Sequence, residues 1–229
     1  MNNYRYEIKF ILDQASLVQA TSWMMLHTSA KRTFPTRSVN TIYFDDPNFT
    51  SMSDNLAGIS NRKKYRLRWY HFEDRSRIQL LNFEVKYRED RLGRKNRFLM
   101  KNLKGSLLQT KFIHLFDKSL SELNNNGIFF EDSTFLSPSL QVNYLREYFE
   151  GFEGIRVTLD HKIKFFNPFS YSLPFQTNPI SIPQTIMEIK FSPEQKNQVA
   201  DSLRSFNLIP KRHSKYLVGL ASLGMAVYI

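Results

Sequence analysis

The chain has 229 residues, of which 41% are hydrophobic, including 20 Phe and 11 Tyr, so it can bury a sizeable core and global disorder is not expected. Lysine and arginine number 32 against 21 acidic residues. The resulting net charge of +11 favours a polyanionic partner: nucleic acid, an anionic membrane or phosphorylated small molecules. The absence of cysteine excludes disulfides and thiolate metal sites and fits a reducing compartment.

Several segments alternate between polar and apolar residues, which predicts β-strands. In the first of them, Arg5, Glu7 and Lys9 share one face and apolar side chains occupy the other. The predicted strands span, in chain order, residues 4–10, 39–45, 62–70, 82–86, 156–160 and 187–191.

Helical patterns and loop signals lie between and after the strands. Ser192 is a strong helix start, because Pro193 takes the first helical position and Gln195 lies three residues after the cap. The predicted helices run from Asp13 to about Ala30, over residues 103–124, from Ser192, and from Ser214 to Ala226; the predicted loops are 124–127 and 167–183. The pattern predicts one α+β domain over residues 1–229, with helices decorating an antiparallel sheet.

Neither end of the chain predicts a membrane segment. Residues 1–9 are polar and charged, unlike a signal peptide, and the longest apolar run, 216–229, is shorter than the ~20 residues of a membrane-spanning helix. We therefore expect a cytoplasmic protein without a transmembrane segment.

The polar faces of the predicted strands carry an unusual density of charge. Five segments place Arg or Lys at alternate positions, and three of them contain the pattern Glu-x-Lys, which begins at Glu7, Glu84 and Glu188. A single such face is typical of a solvated strand with weak ion pairs. Five together favour the interior of a barrel, where only a polyanion and hydration can compensate the crowded cations. Carboxylates in that setting are suitable ligands for Mg²⁺ or Mn²⁺.

An ordered set of short motifs resembles the catalytic domain of the vacuolar transporter chaperone (VTC) family, the VTC-type polyphosphate polymerases of the triphosphate tunnel, or CYTH-like, superfamily. The matching stretches are residues 5–9, 41–45, 62–70, 83–86, 144–146, 156–160, 187–190 and 213–216. The resemblance implies an antiparallel eight-stranded β-barrel, or tunnel, with helices packed outside. In it ATP would donate its γ-phosphate to a growing polyphosphate chain.

The resemblance and the strand faces together assign roles to particular residues. The expected catalytic phosphate ligands are Lys9, Arg66, Arg68, Lys86 and Arg146. The expected substrate-binding residues are Lys64, Lys95, Tyr144, Arg212 and Lys215. The expected ligands for Mn²⁺ or Mg²⁺ are Glu188, Glu7 and Glu84. For Lys95 and Arg212 a solvated position is an equal alternative, and Arg212 stands where the family usually has Lys.

The first strand bears on the reaction. Hydrolytic members of the superfamily begin with Glu-x-Glu-x-Lys, whereas this chain has Arg5-x-Glu7-x-Lys9, which favours transfer between two phosphates over attack by water. We therefore expect a polyphosphate polymerase acting on ATP and polyphosphate. A tunnel triphosphatase and a polyphosphate-binding module without catalysis remain alternatives. Nucleic acid is not an expected partner, because the aromatic residues lie mostly opposite the charges.

Overall fold

The structure, a computed structural model, describes residues 4–71, 78, 80–90, 92–107, 110–130, 135–168 and 178–226. The strands are β1 Tyr6–Leu12, β2 Lys31–Asp45, β3 Arg62–His71, β4 Leu81–Glu89, β5 Leu92–Leu99, β6 Ser137–Glu150, β7 Arg156–Phe166, β8 Ile180–Ile182 and β9 Thr185–Phe191. The α-helices are α1 Gln14–Thr28, α2 Thr50–Ala57, α3 Lys101–Ser106, α4 Leu115–Asn125, α5 Lys196–Leu203 and α6 Lys215–Ser222. No helix among these residues is long and apolar enough to cross a bilayer.

Eight antiparallel strands form one barrel-like sheet in the order β1-β9-β7-β6-β2-β3-β4-β5, and the short β8 pairs with β7. The edge strands meet at Arg5 and Gly93, whose backbone N–H groups each donate to the other's carbonyl over 3.3 and 3.2 Å. Further along β1, the backbone N–H of Lys211 donates to the carbonyl of Lys9 over 2.9 Å. The predicted antiparallel eight-stranded barrel is confirmed.

The helices cover the outside of the sheet, as the polarity of the strands predicted. One apolar cluster joins β2, β3 and β4 to α3 and α4 and includes Phe44, Leu67, Phe83 and Leu115. A second joins β1, β7 and β9 to α1 and α5. The charged residues of the same strands alternate with these apolar ones, so they face the interior of the barrel.

The last helix, α6, occupies one end of the interior. Its Tyr216 and Leu220 pack with Leu140 and Phe165, which lie on the inner face of β6 and β7. A Cβ atom at Gly219 would come within 2.5 Å of Leu140 Cδ2, so only glycine allows this close approach. The helix therefore closes that end of the barrel.

Three predicted boundaries need correction. The helix expected over residues 103–124 is divided into α3 and α4, with a 3₁₀ turn at Phe112–His114 between them. Residues 169–177 of the loop expected over 167–183 lie outside the described residues, and its last part contains β8, because Ile180–Ile182 pairs with residues 163–165 of β7. The strand expected at 39–45 begins at Lys31, since β2 follows β6 through three register shifts.

Candidate functional site

The interior face of β3 and β4 carries a ladder of charged residues. Lys64 lies opposite Lys86 and Arg66 opposite Glu84, and each rung is two residues from the next, so all point to the same side. Like charges directly opposite each other destabilise a sheet. Lys86 is compensated by Glu7, whereas Lys64 contacts no carboxylate among the described residues, so this part of the ladder carries an excess of positive charge.

Glu84 is fully buried and holds several of these cations. Its Oε2 accepts from Arg66 Nε at 2.8 Å, and its Oε1 lies 3.2 Å from both Lys95 Nζ and Arg97 Nε. Arg68 Nη1 lies 3.8 Å from the same carboxylate. Burial opposes the charged form, but these cations outweigh it and hold the pKa of Glu84 well below its usual range. Both of its carboxylate oxygens therefore contact basic side chains, as do both oxygens of Glu7, and the expected role of Glu84 as a metal ligand stays a prediction.

A second buried carboxylate, Asp160 on β7, binds basic side chains from β6 and α6. Arg146 donates from Nε to Oδ1 of Asp160 over 2.5 Å and from Nη2 to Oδ2 over 2.7 Å. Lys215 Nζ lies 2.5 Å from the same Oδ2. Tyr144 contacts both cations through its ring, with centroid distances of 5.2 Å to Arg146 and 4.8 Å to Lys215. Sequence reasoning gave Asp160 no role, although its place on the polar face of a strand with Arg156 was visible.

Glu7 and Glu188 form the third part of the site, on neighbouring strands. Glu7 lies opposite Lys190, and Lys9 lies opposite Glu188. Lys86 Nζ donates to both oxygens of Glu7, over 2.9 and 3.2 Å, and Lys190 lies 3.3 Å from Glu188. Burial and the charge of Glu188 oppose ionisation of Glu7, but Lys86 and the neighbouring cations lower its pKa to about 2.

These two carboxylates are the residues that fit a divalent cation. Neighbouring cations lower the pKa of both carboxyl groups, so both are ionised, and the charge of Glu188 opposes ionisation of Glu7; a positive ion beside them would relieve this repulsion. In the described part of the chain, no group of three or more acidic or histidine residues is placed to hold a metal. A pair of carboxylates completed by phosphate oxygens is, however, the usual environment of Mg²⁺ in phosphoryl transfer.

Lys64 shows most directly that positive charge is in excess. Its Nζ lies 3.3 Å from Ser214 Oγ and 5.4 Å from the centre of the Tyr216 ring, neither of which carries a negative charge. Burial and the cations Lys86 and Lys9 lower the pKa of Lys64 well below its usual range. A bound polyanion would supply the missing negative charge and would stabilise the protonated form of Lys64.

Tyr43 is a buried interior residue that sequence reasoning missed. Burial alone would raise its pKa, but Arg66, Arg68 and Lys215 outweigh burial and lower it. Its ring packs against that of Tyr216, with centroids 5.0 Å apart and a 33° angle between the ring planes. The only signal in the sequence was its place on one face of a weakly alternating strand.

Two expected ligands are more exposed than the others. Arg212 is exposed, close to Gly58, and adds to the positive charge around Arg62 and Arg88 at one rim. Lys95 reaches Glu84, but its side chain is 39% exposed. His213, in contrast, is buried, and burial with the nearby Lys215 lowers its pKa to about 3, so it is neutral.

The charge of Lys95 should couple anion binding to pH. Burial and the guanidinium groups of Arg66 and Arg68 lower its pKa to about 7, even though Glu84 favours its charged form. An anion binds the protonated form and raises this pKa. Binding therefore takes up a proton above pH 7, and the affinity for tripolyphosphate should fall as the pH rises from about 7 to roughly 9.

Isothermal titration at several pH values measures this dependence. Lys95→Arg is the matched control, because arginine stays protonated over that range, and the slope should become shallower. An unchanged slope in the variant would show that Lys95 does not contact the anion.

Comparison with known proteins places the chain in a family. The family model of the VTC domain matches residues 4–224. No curated protein matches the chain.

Several solved structures share the fold. A putative adenylyl cyclase from Hippeastrum, for which a dominant triphosphatase activity is described, is 13% identical with a TM-score of 0.56, covering 99% of this chain and 98% of that one. The PH1819 protein from Pyrococcus horikoshii is 13% identical with a TM-score of 0.53, over 95% and 98% of the two chains. A putative adenylate cyclase from Vibrio parahaemolyticus is 14% identical with a TM-score of 0.51, over 95% and 99%. Since the family model covers nearly the whole chain, and these structures share its tunnel-like fold, the chain belongs to the VTC domain family.

Proposed function

We propose that this protein is a polyphosphate polymerase, a metal-dependent phosphotransferase that moves the γ-phosphate of ATP onto a growing polyphosphate chain inside the barrel. The observation that carries the proposal is the interior itself: among the described residues, buried cations outnumber carboxylates there, and none of those carboxylates contacts Lys64. A linear chain of phosphates supplies negative charge along the whole ladder, which a single small anion does not.

The arginines bind and orient the reacting phosphates. Arg68 is held by Thr41 Oγ1 at 3.1 Å, and Arg146 is held by Asp160, so both guanidinium groups are fixed before substrate arrives. Fixed forks match the oxygens of a phosphate and lose little freedom on binding. Lys9, Lys86 and Lys215 add compact positive charges that offset the repulsion between donor and acceptor.

The protonation states of the interior favour transfer over hydrolysis. Glu7 has a pKa of about 2 and His213 of about 3, so neither is an effective base for water at neutral pH. A terminal phosphate of polyphosphate is already ionised and needs no base. Its oxygen forms the new P–O bond, the bond between the γ-phosphorus and the bridging oxygen breaks, and ADP leaves with that electron pair.

Glu188, with Glu7 beside it, would hold the Mn²⁺ or Mg²⁺. When bound, such an ion supplies positive charge that neutralises the transferring phosphates. Around it, Lys190 keeps Glu188 ionised, and Lys9 donates to the backbone carbonyl of His213 over 3.0 Å, which fixes the ammonium group beside the pair.

A tunnel triphosphatase is the second candidate, because the Hippeastrum protein, which has the same fold, is described with a dominant triphosphatase activity. Hydrolysis would need water to reach the γ-phosphate, and the first-strand position that carries a carboxylate in hydrolytic relatives is Arg5 here. Burial and the charge of Arg156 lower the pKa of Arg5, yet it remains a cation at neutral pH.

Product analysis tests the proposal. Pure protein with ATP, Mn²⁺ and a tripolyphosphate primer should form chains longer than the primer, resolved on a gel and by phosphorus NMR, and a chelator should stop the reaction. Shortening of the primer, or release of phosphate from ATP without polymer, would favour the triphosphatase. Tight binding of polyphosphate with no consumption of ATP would favour a binding module.

A further inference from the structure

The first part of β2 is irregular at the end of the barrel opposite α6. Asp45, at the far end of β2, accepts from Tyr216 Oη of α6, so residues 31–37 lie at the other end. The pairing with β6 shifts register on both sides of Phe34, and Pro35 follows it. Shifts of this kind redirect side chains at the rim of a barrel.

At this end of the barrel, the mouth, the irregular part of β2 brings one guanidinium group and two aromatic rings together. The guanidinium carbon of Arg37 lies 4.7 Å from the centre of the Phe34 ring and 5.6 Å from that of Tyr148. The two rings contact each other edge to face, with centroids 5.7 Å apart. Phe34 is nevertheless 48% exposed, which leaves one of its faces open to a further planar group.

The backbone that carries these groups is braced from outside. Arg32 Nη2 donates to Thr36 Oγ1 over 2.8 Å and lies 3.0 Å from Glu147 Oε2. Glu147 stands on the outer face of β6, between Arg146 and Tyr148 in sequence. The braced bend therefore holds Phe34 in place without using the interior cations.

The mouth adjoins the phosphate-binding centre. Tyr148 lies two residues after Arg146 on the same face of β6, about 7 Å along the strand. Arg37 is paired with Arg146 across the two strands. A nucleotide whose phosphates contact Arg146 would thus have room for its ribose before its base reaches Phe34.

We propose that Phe34, with Arg37 and Tyr148 behind it, is the docking surface for the base of the donor nucleotide. The inference rests on the proposed function, since it assumes a nucleoside triphosphate as donor. Stacking on an aromatic ring uses the face of the base and reads none of its edges, so the surface accepts purines with little discrimination. These aromatic residues share the inner face with the charges, unlike most aromatics of the chain.

Comparison of ATP with inorganic tripolyphosphate tests this surface, because only ATP carries a base. In Phe34→Ala, the dissociation constant for ATP should rise about tenfold, since stacking of one base contributes about 1–3 kcal/mol and tenfold corresponds to about 1.4. The constant for tripolyphosphate should stay within about twofold. Phe34→Trp should bind ATP at least as tightly as the parent, and Phe129→Ala, at an exposed phenylalanine beyond α4, is the matched control.

The outcomes separate the inference from the proposed function. Equal weakening of ATP and tripolyphosphate in Phe34→Ala would show that Phe34 merely supports Arg37, and unchanged ATP binding would show that the base lies elsewhere; either overturns the inference alone. A parent protein that binds neither ligand would overturn the proposed function and this inference together.

Discussion

Glu188→Gln should lower turnover by at least about 100-fold, because the metal contributes several kcal/mol of charge stabilisation in the transition state, while polyphosphate binding stays intact or becomes slightly tighter. Glutamine keeps the shape of the side chain but removes the charge that a hard cation needs to replace its water ligands. Removal of a negative charge from an interior crowded by Lys9, Lys86 and Arg146 should meanwhile favour a polyanion.

A turnover assay beside isothermal titration with polyphosphate measures the two effects separately. Glu194→Gln is the matched control, because Glu194 is exposed in the turn Pro193–Gln195 just before α5, away from the barrel interior. Parallel loss of turnover and binding in Glu188→Gln would mean that Glu188 is an architectural partner of Lys190. Full activity would move the metal to Glu7 alone.

Asp160→Asn should destabilise the anion-free protein, and a polyanion should restore much of the loss. The substitution leaves Arg146 and Lys215 without their buried counter-charge, and removal of one partner from such a group costs about 3–5 kcal/mol of the free energy of unfolding. Bound tripolyphosphate would replace the missing charge, so it should stabilise the variant more than the parent.

Urea unfolding with and without tripolyphosphate measures this difference. Asp201→Asn serves as the control, because Asp201 is exposed on α5 and pairs only with Arg204 within one helix. Equal destabilisation of Asp160→Asn in both conditions would show that the anion does not reach Arg146 and Lys215.

Strand polarity predicted an antiparallel sheet with one charged face and helices on the other, whereas the eight-stranded barrel was implied by the family resemblance. The Glu-x-Lys pattern of β1, β4 and β9 repeats every two residues, and this alone places Glu7, Glu84 and Glu188 on one face with the cations. Since each opposite face is apolar and long enough to need cover, the helices had to lie outside. The predicted position of the helices does not change if a strand begins or ends a few residues away from its predicted bounds.

The strands that were not predicted from the sequence, β5 and β6, lack this contrast between a charged face and an apolar face. β6 carries Leu140 and Val142 on its inner face, where they meet α6, so it is apolar where the other strands are charged. β5 contains Arg94, Lys95 and Arg97 on both faces and reads as a solvated loop. The contacts of Glu84 with Lys95 and Arg97 across the two strands, which the sequence does not reveal, explain why β5 pairs with β4.

The pairings between interior side chains could not be predicted from the sequence either. Sequence reasoning treated Glu84 as a metal ligand and gave Asp160 no role, and it did not show that both are buried counter-charges for the arginines. Which carboxylate meets a cation depends on how strands distant in sequence are aligned around the barrel. Arg146 and Asp160 are partners through the β6–β7 register, and Lys215 joins them only because α6 enters the interior.

The ratio of inorganic phosphate to ADP, followed together at early times with ATP, Mn²⁺ and a polyphosphate primer, tests the central claim most directly. Transfer onto polyphosphate conserves the γ-phosphate in the polymer, so ADP should accumulate with little inorganic phosphate and with equal growth of acid-labile chain phosphate. Release of one inorganic phosphate for each ADP, with no growth of the chain, would contradict the account and identify the barrel as a triphosphatase.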